Sequence, residues 1–278
     1  MTATSHRPAW TRRDFLHMAG VGFAVLAAGE PVCAAETSER EDLAGAFKEQ
    51  GVPGAFVLYD VAGDRFITVN GKRAETRFVP ASAFKIANSV IALETGVVKD
   101  ENEIIPYGGK PQPFKNWEKD MSMRQAIAIS AVPIYQELAR RVGLERYREW
   151  LVKLNYGNAQ AGEVVDRFWL DGPLQISAVE QAQFVATLAQ GKLPASARAQ
   201  IIVRDILKQE VKDGRILYAK TGWYIPKGDA PQIGWWTGWV DDGGKISAFS
   251  LNIDIDSVDD ARKRQEIART LLAKLGVY

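Results

Sequence analysis

Histidine and cysteine are nearly missing from this sequence: 278 residues contain two of the first and one of the second. His6, His17 and Cys33 all lie ahead of Ala35. From Ala35 onward there is no imidazole base, no thiol nucleophile and no partner for a disulfide. The usual zinc ligands are gone as well, so no metal is expected. An excess of one charge sign is also lacking. Lys and Arg total 35 against 34 for Asp and Glu, and 32 against 32 from Ala35 onward. A balanced chain gives no electrostatic case for nucleic acid or an anionic membrane surface as partner. The soft apolar run from Phe15 to Ala28 is short for a bilayer span and rich in Gly and Ala, so no stable membrane anchor is expected.

What the first residues do contain is an export signal. Arg7, Arg12 and Arg13 precede the apolar run, and Pro31-Val32-Cys33-Ala34-Ala35 offers small residues for cleavage. Thr11-Arg12-Arg13-Asp14-Phe15-Leu16 carries the paired arginines of a twin-arginine leader, with an ordinary secretory leader as the alternative. Residues 1–34 are therefore expected to be a signal peptide. Residues 35–278 are expected to be a single domain delivered to a bacterial periplasm, as a monomer or homodimer.

With His and Cys excluded, covalent catalysis would need Lys, Tyr or a carboxylate as base. The sequence holds one Ser-x-x-Lys, Ser82 to Lys85, inside Val79-Pro80-Ala81-Ser82-Ala83-Phe84-Lys85-Ile86-Ala87-Asn88-Ser89-Val90-Ile91-Ala92-Leu93. The apolar spacing predicts a helix opening near Ser82 and stopping at Gly96. Residues three apart share a helical face, which places the hydroxyl beside the amine. Phe84, Ile86, Val90, Ile91 and Leu93 would bury that amine, and burial favours its neutral, basic form. Taken alone, such a pair is usually a solvated helix surface.

Elsewhere the pattern is strands at both ends and helices between. A short helix is expected over Glu39–Gln50, and a hairpin from Gly54–Asp60 and Arg65–Asn70. From Pro80 to about Leu207 the periodicity is mainly helical. It includes Met123–Ile129, a helix with Pro133 in its first turn, and one opened by the capping box Ser177-Ala178-Val179-Glu180 and running to Gly191. Strands return at Ile216–Trp223, Trp235–Val240 and Ile246–Asp254, the last two joined through Asp241-Asp242-Gly243-Gly244. Val258–Leu275 closes the chain as an amphipathic helix. The implied fold is mixed α+β: a central antiparallel sheet built from both chain ends, flanked by helices, with an inserted helical region. A site would lie in the cleft between sheet and insertion.

Three further motifs follow Ser82 in order. Ser130-Ala131-Val132 falls in a break between helices, Tyr156-Gly157-Asn158 is a turn, and Lys220-Thr221-Gly222 ends a strand where glycine would let a ligand backbone approach. Each is weak alone. The ordered set resembles the penicillin-recognising serine acyl-transferases, and within them the class D serine β-lactamases. Pro80–Ile86 resembles the nucleophile segment and Ser130–Arg140 the second motif. Tyr156-Gly157-Asn158 stands where class A enzymes have Ser-Asp-Asn. Phe168-Trp169-Leu170 resembles the tryptophan segment, and Lys220-Thr221-Gly222-Trp223 with Gly234–Val240 the third motif and its following strand. Ala83 departs from the pattern, where threonine is common.

The resemblance implies a β-lactam-opening hydrolase that confers β-lactam resistance, with a small-molecule β-lactam as substrate. It implies Ser82 as nucleophile and the Ser82 and Trp223 backbone N–H groups as oxyanion hole. Ser130, between Lys85 and Lys220, would relay a proton to the departing ring nitrogen, and Thr221 and Arg264 would hold the substrate carboxylate. Phe114, Trp117, Val132 and Leu170 would wall the pocket, with Gly222 and Trp223 along the substrate. It further implies no cofactor beyond carbon dioxide or bicarbonate, which would carboxylate Lys85 to N6-carboxylysine held by the Trp169 indole. Two other readings share the motifs: a β-lactam sensor that keeps its acyl adduct, and a cell-wall transpeptidase or carboxypeptidase.

Overall fold

The computed structural model describes residues 35–278; the expected leader lies outside them. The first strands are β1 (Glu36–Glu39), β2 (Gly54–Asp60) and β3 (Arg65–Val69), with the short helices α1 (Gly45–Gln50) and α2 (Gly71–Glu75) between and after them. The helical region contains α3 (Lys85–Glu94), a small strand pair β4 (Ile104–Ile105) and β5 (Met121–Ser122), then α4 (Met123–Ala128) and α5 (Val132–Val142). It continues through α6 (Leu144–Lys153), α7 (Ala178–Ala189) and α8 (Ala197–Leu207). The chain ends with β6 (Lys208–Lys212), β7 (Arg215–Tyr224), β8 (Gln232–Asp242), β9 (Lys245–Ile255) and α9 (Asp260–Lys274).

Both ends of the chain build one seven-stranded sheet, in the order β1-β3-β2-β9-β8-β7-β6. Every pairing is antiparallel except β1 with β3. The β2–β9 pairing joins the two ends, with Gly54 opposite Ile253 and Asp60 opposite Ser247. The mixed α+β architecture thus follows the alternation in the sequence. α1 and α9 cover one face, with Phe47, Ile267, Leu271 and Leu272 buried against Phe249 and Leu251. α7 crosses the other face over β2, β8 and β9. Its capping box is formed, with Ser177 Oγ accepting from Glu180 N–H and Glu180 accepting from Ser177 N–H. Among the described residues no helix is long and apolar enough to cross a membrane.

The small β4–β5 pair was not anticipated, nor were two strands of the seven-stranded sheet. β1 (Glu-Thr-Ser-Glu) and β6 (Lys-Gln-Glu-Val-Lys) are the outermost strands and almost wholly exposed. Charged edge strands avoid pairing with other chains, and they show no apolar alternation to read. The expected helix over Glu39–Gln50 starts later for the same reason. Glu39 belongs to β1, where its carboxylate accepts from Thr68 Oγ1 and from the N–H groups of Asn70 and Gly71. A 3-10 turn over Glu41–Ala44 then leads into α1.

α3 is the axis of the helical region. Every residue from Lys85 to Leu93 is buried, among α5 and α8. A lysine at the head of so apolar a helix is the first structural sign of chemistry.

Candidate active site

The segment before α3 is a 3-10 turn, Ala81–Phe84, so Ser82 sits one turn ahead of the α-helix proper. Ala81 has φ +47°, a left-handed conformation unusual for a residue with a Cβ. Such strain costs on the order of 1–3 kcal/mol and concentrates at functional sites. It turns the chain so that Ser82 Oγ meets Lys85 Nζ at 2.8 Å. Lys85 is fully buried, and its ammonium end lies 5.1 Å from the Tyr135 ring centroid. Burial, and secondarily the neighbouring Lys220 charge, pull the amine well below the usual lysine range.

Ser130 is held by a second left-handed residue position, at φ +60° between α4 and α5. The N–H groups of Ser130 and Ala131 bond back to Ile127 and Ala126, closing α4, while Pro133 occupies the first turn of α5. The break leaves the hydroxyl free to accept from Lys220 Nζ at 3.0 Å. The Lys220 ammonium also donates to the Thr221 carbonyl at 2.9 Å and Oγ1 at 3.3 Å. Burial first, then the nearby Arg264 charge, lowers Lys220 to about 7. The structure therefore gathers Ser82, Lys85, Ser130, Lys220 and Thr221 from three separate segments into two bonded pairs of hydroxyl and amine.

Strand β7 reaches this cluster because β6 stops pairing with it at Tyr218. Beyond that point one edge of β7 stays bonded to β8, and the other is open. Gln209 donates to Ala219 O and Lys220 Nζ to Thr221 O, so odd-numbered residues present their backbone groups at the open edge. Trp223 continues that alternation, while its indole N–H is tied to Gln232 Oε1 at 2.7 Å.

At Gly222 the expectation needs adjustment. A Cβ here would stand 2.8 Å from the Pro80 carbonyl and 3.0 Å from Ala83 N. The backbone that approaches this glycine is thus the nucleophile's own turn, and the missing side chain lets β7 seat against it.

Arg264 arrives from α9, with its Cδ 2.7 Å from where a Cβ on Gly234 would lie. Nη1 donates to the Gly222 carbonyl and Nε to the Ala261 carbonyl. Burial lowers the guanidinium to about 10, with no carboxylate among the causes. Arg264 thus keeps its charge without a carboxylate partner, at the carbonyl next to Thr221, a setting that attracts an anion.

Trp169 is fully buried in an aromatic cluster, with ring centroids 5.6 Å from Phe84 and 4.9 Å from Phe168. Its indole N–H has no hydrogen-bond partner among the described residues. An unsatisfied donor buried in an apolar cluster is costly and suits an acceptor added later. A neutral-leaning buried amine at Lys85, and an unpartnered N–H on a Trp169 whose ring packs on the adjacent Phe84, are chemically suited to an anionic group on Lys85. Of the expected pocket walls, Phe114 is 55% exposed and packs edge-on against Trp117 at 4.8 Å. Trp117 Nε1 donates to Ile129 O at 3.1 Å, which sets both rings beside the Ser130 turn. Val132 is half-buried at the start of α5, and Leu170 half-buried against the core cluster that includes Trp169.

Sequence reasoning gave no role to Tyr135 or Ser89. Their hydroxyls lie 2.8 Å apart, and Ser89 Oγ donates to the Lys85 carbonyl at 2.8 Å. The four-residue spacing from Lys85 to Ser89 was a readable signal for the second contact. Voids of about 150 and 450 Å³, around Lys245 and around Lys72, contain none of the site residues. Among the described residues no cluster of His, Cys, Asp and Glu is placed to hold a metal ion.

Comparison with known proteins bears on the family. Residues 40–273 match the penicillin binding protein transpeptidase domain. β-Lactamase OXA-5 of Pseudomonas aeruginosa is 40% identical over 83% of this chain and 87% of its own length. β-Lactamase OXA-48 of Klebsiella pneumoniae is 39% identical over 88% of this chain and 91% of its own. The crystal structure of FUS-1 (OXA-85), a class D β-lactamase from Fusobacterium nucleatum subsp. polymorphum, superposes with a TM-score of 0.83. That match has 42% identity and covers 86% of this chain and 99% of that one. On its fold, on the order of its motifs and on these similarities over most of its length, the chain belongs to the class D β-lactamases.

Proposed function

We propose that the protein is a periplasmic β-lactam hydrolase working through an acyl-enzyme on Ser82. The single observation that carries this reading is the 2.8 Å contact between Ser82 Oγ and a buried, neutral-leaning Lys85 Nζ in a chain segment with no histidine or cysteine. Ser82 Oγ attacks the lactam carbonyl and gives up its proton toward Lys85 Nζ. The Ser82 and Trp223 N–H groups hold the oxygen that becomes negative, a contribution of roughly 3–4 kcal/mol per donor. Ser130, bonded to Lys220, delivers a proton to the ring nitrogen as the amide bond breaks. Thr221 and the Arg264 guanidinium receive the substrate carboxylate. Phe114, Trp117, Val132 and Leu170 face its apolar side chain.

Lys85 and Trp169 are suited to hold carbon dioxide as N6-carboxylysine. Only a neutral amine adds carbon dioxide, and the buried indole N–H of Trp169 supplies a donor for the anion that results. When present, that carbamate supplies the anionic base that acylation and deacylation require. No other cofactor enters the reading.

Residues 35–278 should turn over a chromogenic cephalosporin as purified protein, and Ser82→Ala should not. A wild-type chain that is acylated once and stays acylated would be a sensor instead, and one that ignores the cephalosporin but cleaves D-Ala-D-Ala peptides a carboxypeptidase.

A further inference from the structure

Resting on the reading above, we propose that Arg264 is a positioning residue of the oxyanion hole, acting through the backbone. Its Nη1 donates to the carbonyl of Gly222. That carbonyl and the N–H of Trp223 are the two ends of one peptide unit. In a trans peptide they point in opposite directions, so Arg264, adding a donor to a carbonyl that also faces β8, helps hold the direction of the N–H. The β7 alternation established at Ala219 and Thr221 sends the Trp223 N–H to the open edge, and Pro80 and Ala83 of the nucleophile's turn abut the preceding Gly222. A cation bonded to the carbonyl also draws electron density from the amide and strengthens its N–H as a donor, since bonds along a chain polarise one another.

Three features show a built arrangement. Gly234 has no side chain where the Arg264 stem crosses β8, and a Cβ there would meet Ile255 Cδ1 at 2.5 Å and the arginine's Cδ at 2.7 Å and Cγ at 3.0 Å. Nε is anchored on the Ala261 carbonyl, which fixes the plane of the guanidinium. No carboxylate contributes to the state of Arg264, so its charge is directed at the peptide and the site. Arg264 thus has a task that exists whether or not the substrate carries a carboxylate.

That difference supplies the test. An arylboronic acid without any carboxylate forms a tetrahedral anion on a serine and needs the oxyanion hole but not a carboxylate pocket. Its affinity should weaken about tenfold in Arg264→Ala, with folding checked by circular dichroism. Arg264→Lys restores a positive charge but not the two-carbonyl fork. It should recover much of the KM for a carboxylate-bearing penicillin while leaving boronate affinity low. Gly234→Ala keeps the arginine and displaces its stem, and should weaken the boronate in the same direction even if Arg264→Ala does not fold. Boronate affinity within twofold of wild type in both Arg264→Ala and Gly234→Ala, with only the penicillin KM raised, would reduce Arg264 to a carboxylate ligand and overturn the proposal. A wild-type protein that forms no boronate adduct on Ser82 would instead remove the functional reading on which it stands.

Discussion

Lys85 Nζ makes its hydrogen bond to Ser82 Oγ, at 2.8 Å, with its own side chain fully withdrawn from water. A lysine in that position loses its proton more readily than a solvated one and becomes a base for the hydroxyl it touches. Intact-mass measurement after penicillin treatment should show a single adduct. The adduct should vanish in Ser82→Ala, and its persistence would mean that another residue is the nucleophile.

Ser130 is connected to the reaction through Lys220, which sits at about 7 and can exchange a proton near neutrality. Ser130→Ala should slow acylation by roughly 10²-fold or more, the usual scale for a lost proton-transfer group, while the fold is unaffected. Rapid-quench measurement of adduct formation checks this. An acylation rate within threefold of wild type would assign proton delivery elsewhere.

Keeping Lys85 buried has a stability cost with a definite sign. Its folded pKa is depressed, so between that value and the unfolded value of about 10.4 the unfolded chain binds more protons. Stability from this group therefore rises with pH across that interval. Lys220 adds the same sign of slope, between about 7 and its ordinary value of 10.5. Lys85→Met should raise Tm at pH 7 by several degrees in carbon dioxide-free buffer, at roughly 2–4 °C per kcal/mol for a chain of this size. The gain should shrink toward pH 10. An unchanged or lower Tm at pH 7 would mean that the amine is not strained by burial.

Some of this was readable before any coordinates. The Ser82 to Lys85 spacing, the Gly243-Gly244 hairpin and the Ser177 capping box are local signals, and the structure has all three. The left-handed Ala81 was not legible, because alanine carries no mark of a positive φ. Nor was the bond from Arg264 to Gly222, which spans 42 residues of sequence and depends on how α9 lies over β8. β1 and β6 escaped because edge strands lack the two-sided apolar pattern that identifies central ones.

Export is a separate matter of the first residues. Arg12→Lys combined with Arg13→Lys should leave precursor in the cytoplasm, as fractionation and immunoblotting would show. Unchanged export of the double variant would exclude the twin-arginine route.

The indole of Trp169 is the sharpest structural pointer to an added group, because its N–H is buried with no partner among the described residues. Trp169→Phe keeps most of the ring and removes only that donor. It should stay folded, with a melting curve close to wild type, yet need far more bicarbonate for full activity. Equal bicarbonate dependence in the two proteins would show that the N–H serves packing alone.

The most direct test of the central claim combines carbon-13 NMR with labelled carbon dioxide and steady-state penicillin hydrolysis in degassed buffer. The account predicts a carbamate resonance in the wild type that is absent in Lys85→Met. It also predicts activity that falls in degassed or acidic buffer, where the amine loses carbon dioxide or gains a proton, and returns with bicarbonate. Full activity in degassed buffer without a carbamate resonance would contradict it and leave the free Lys85 amine as the base.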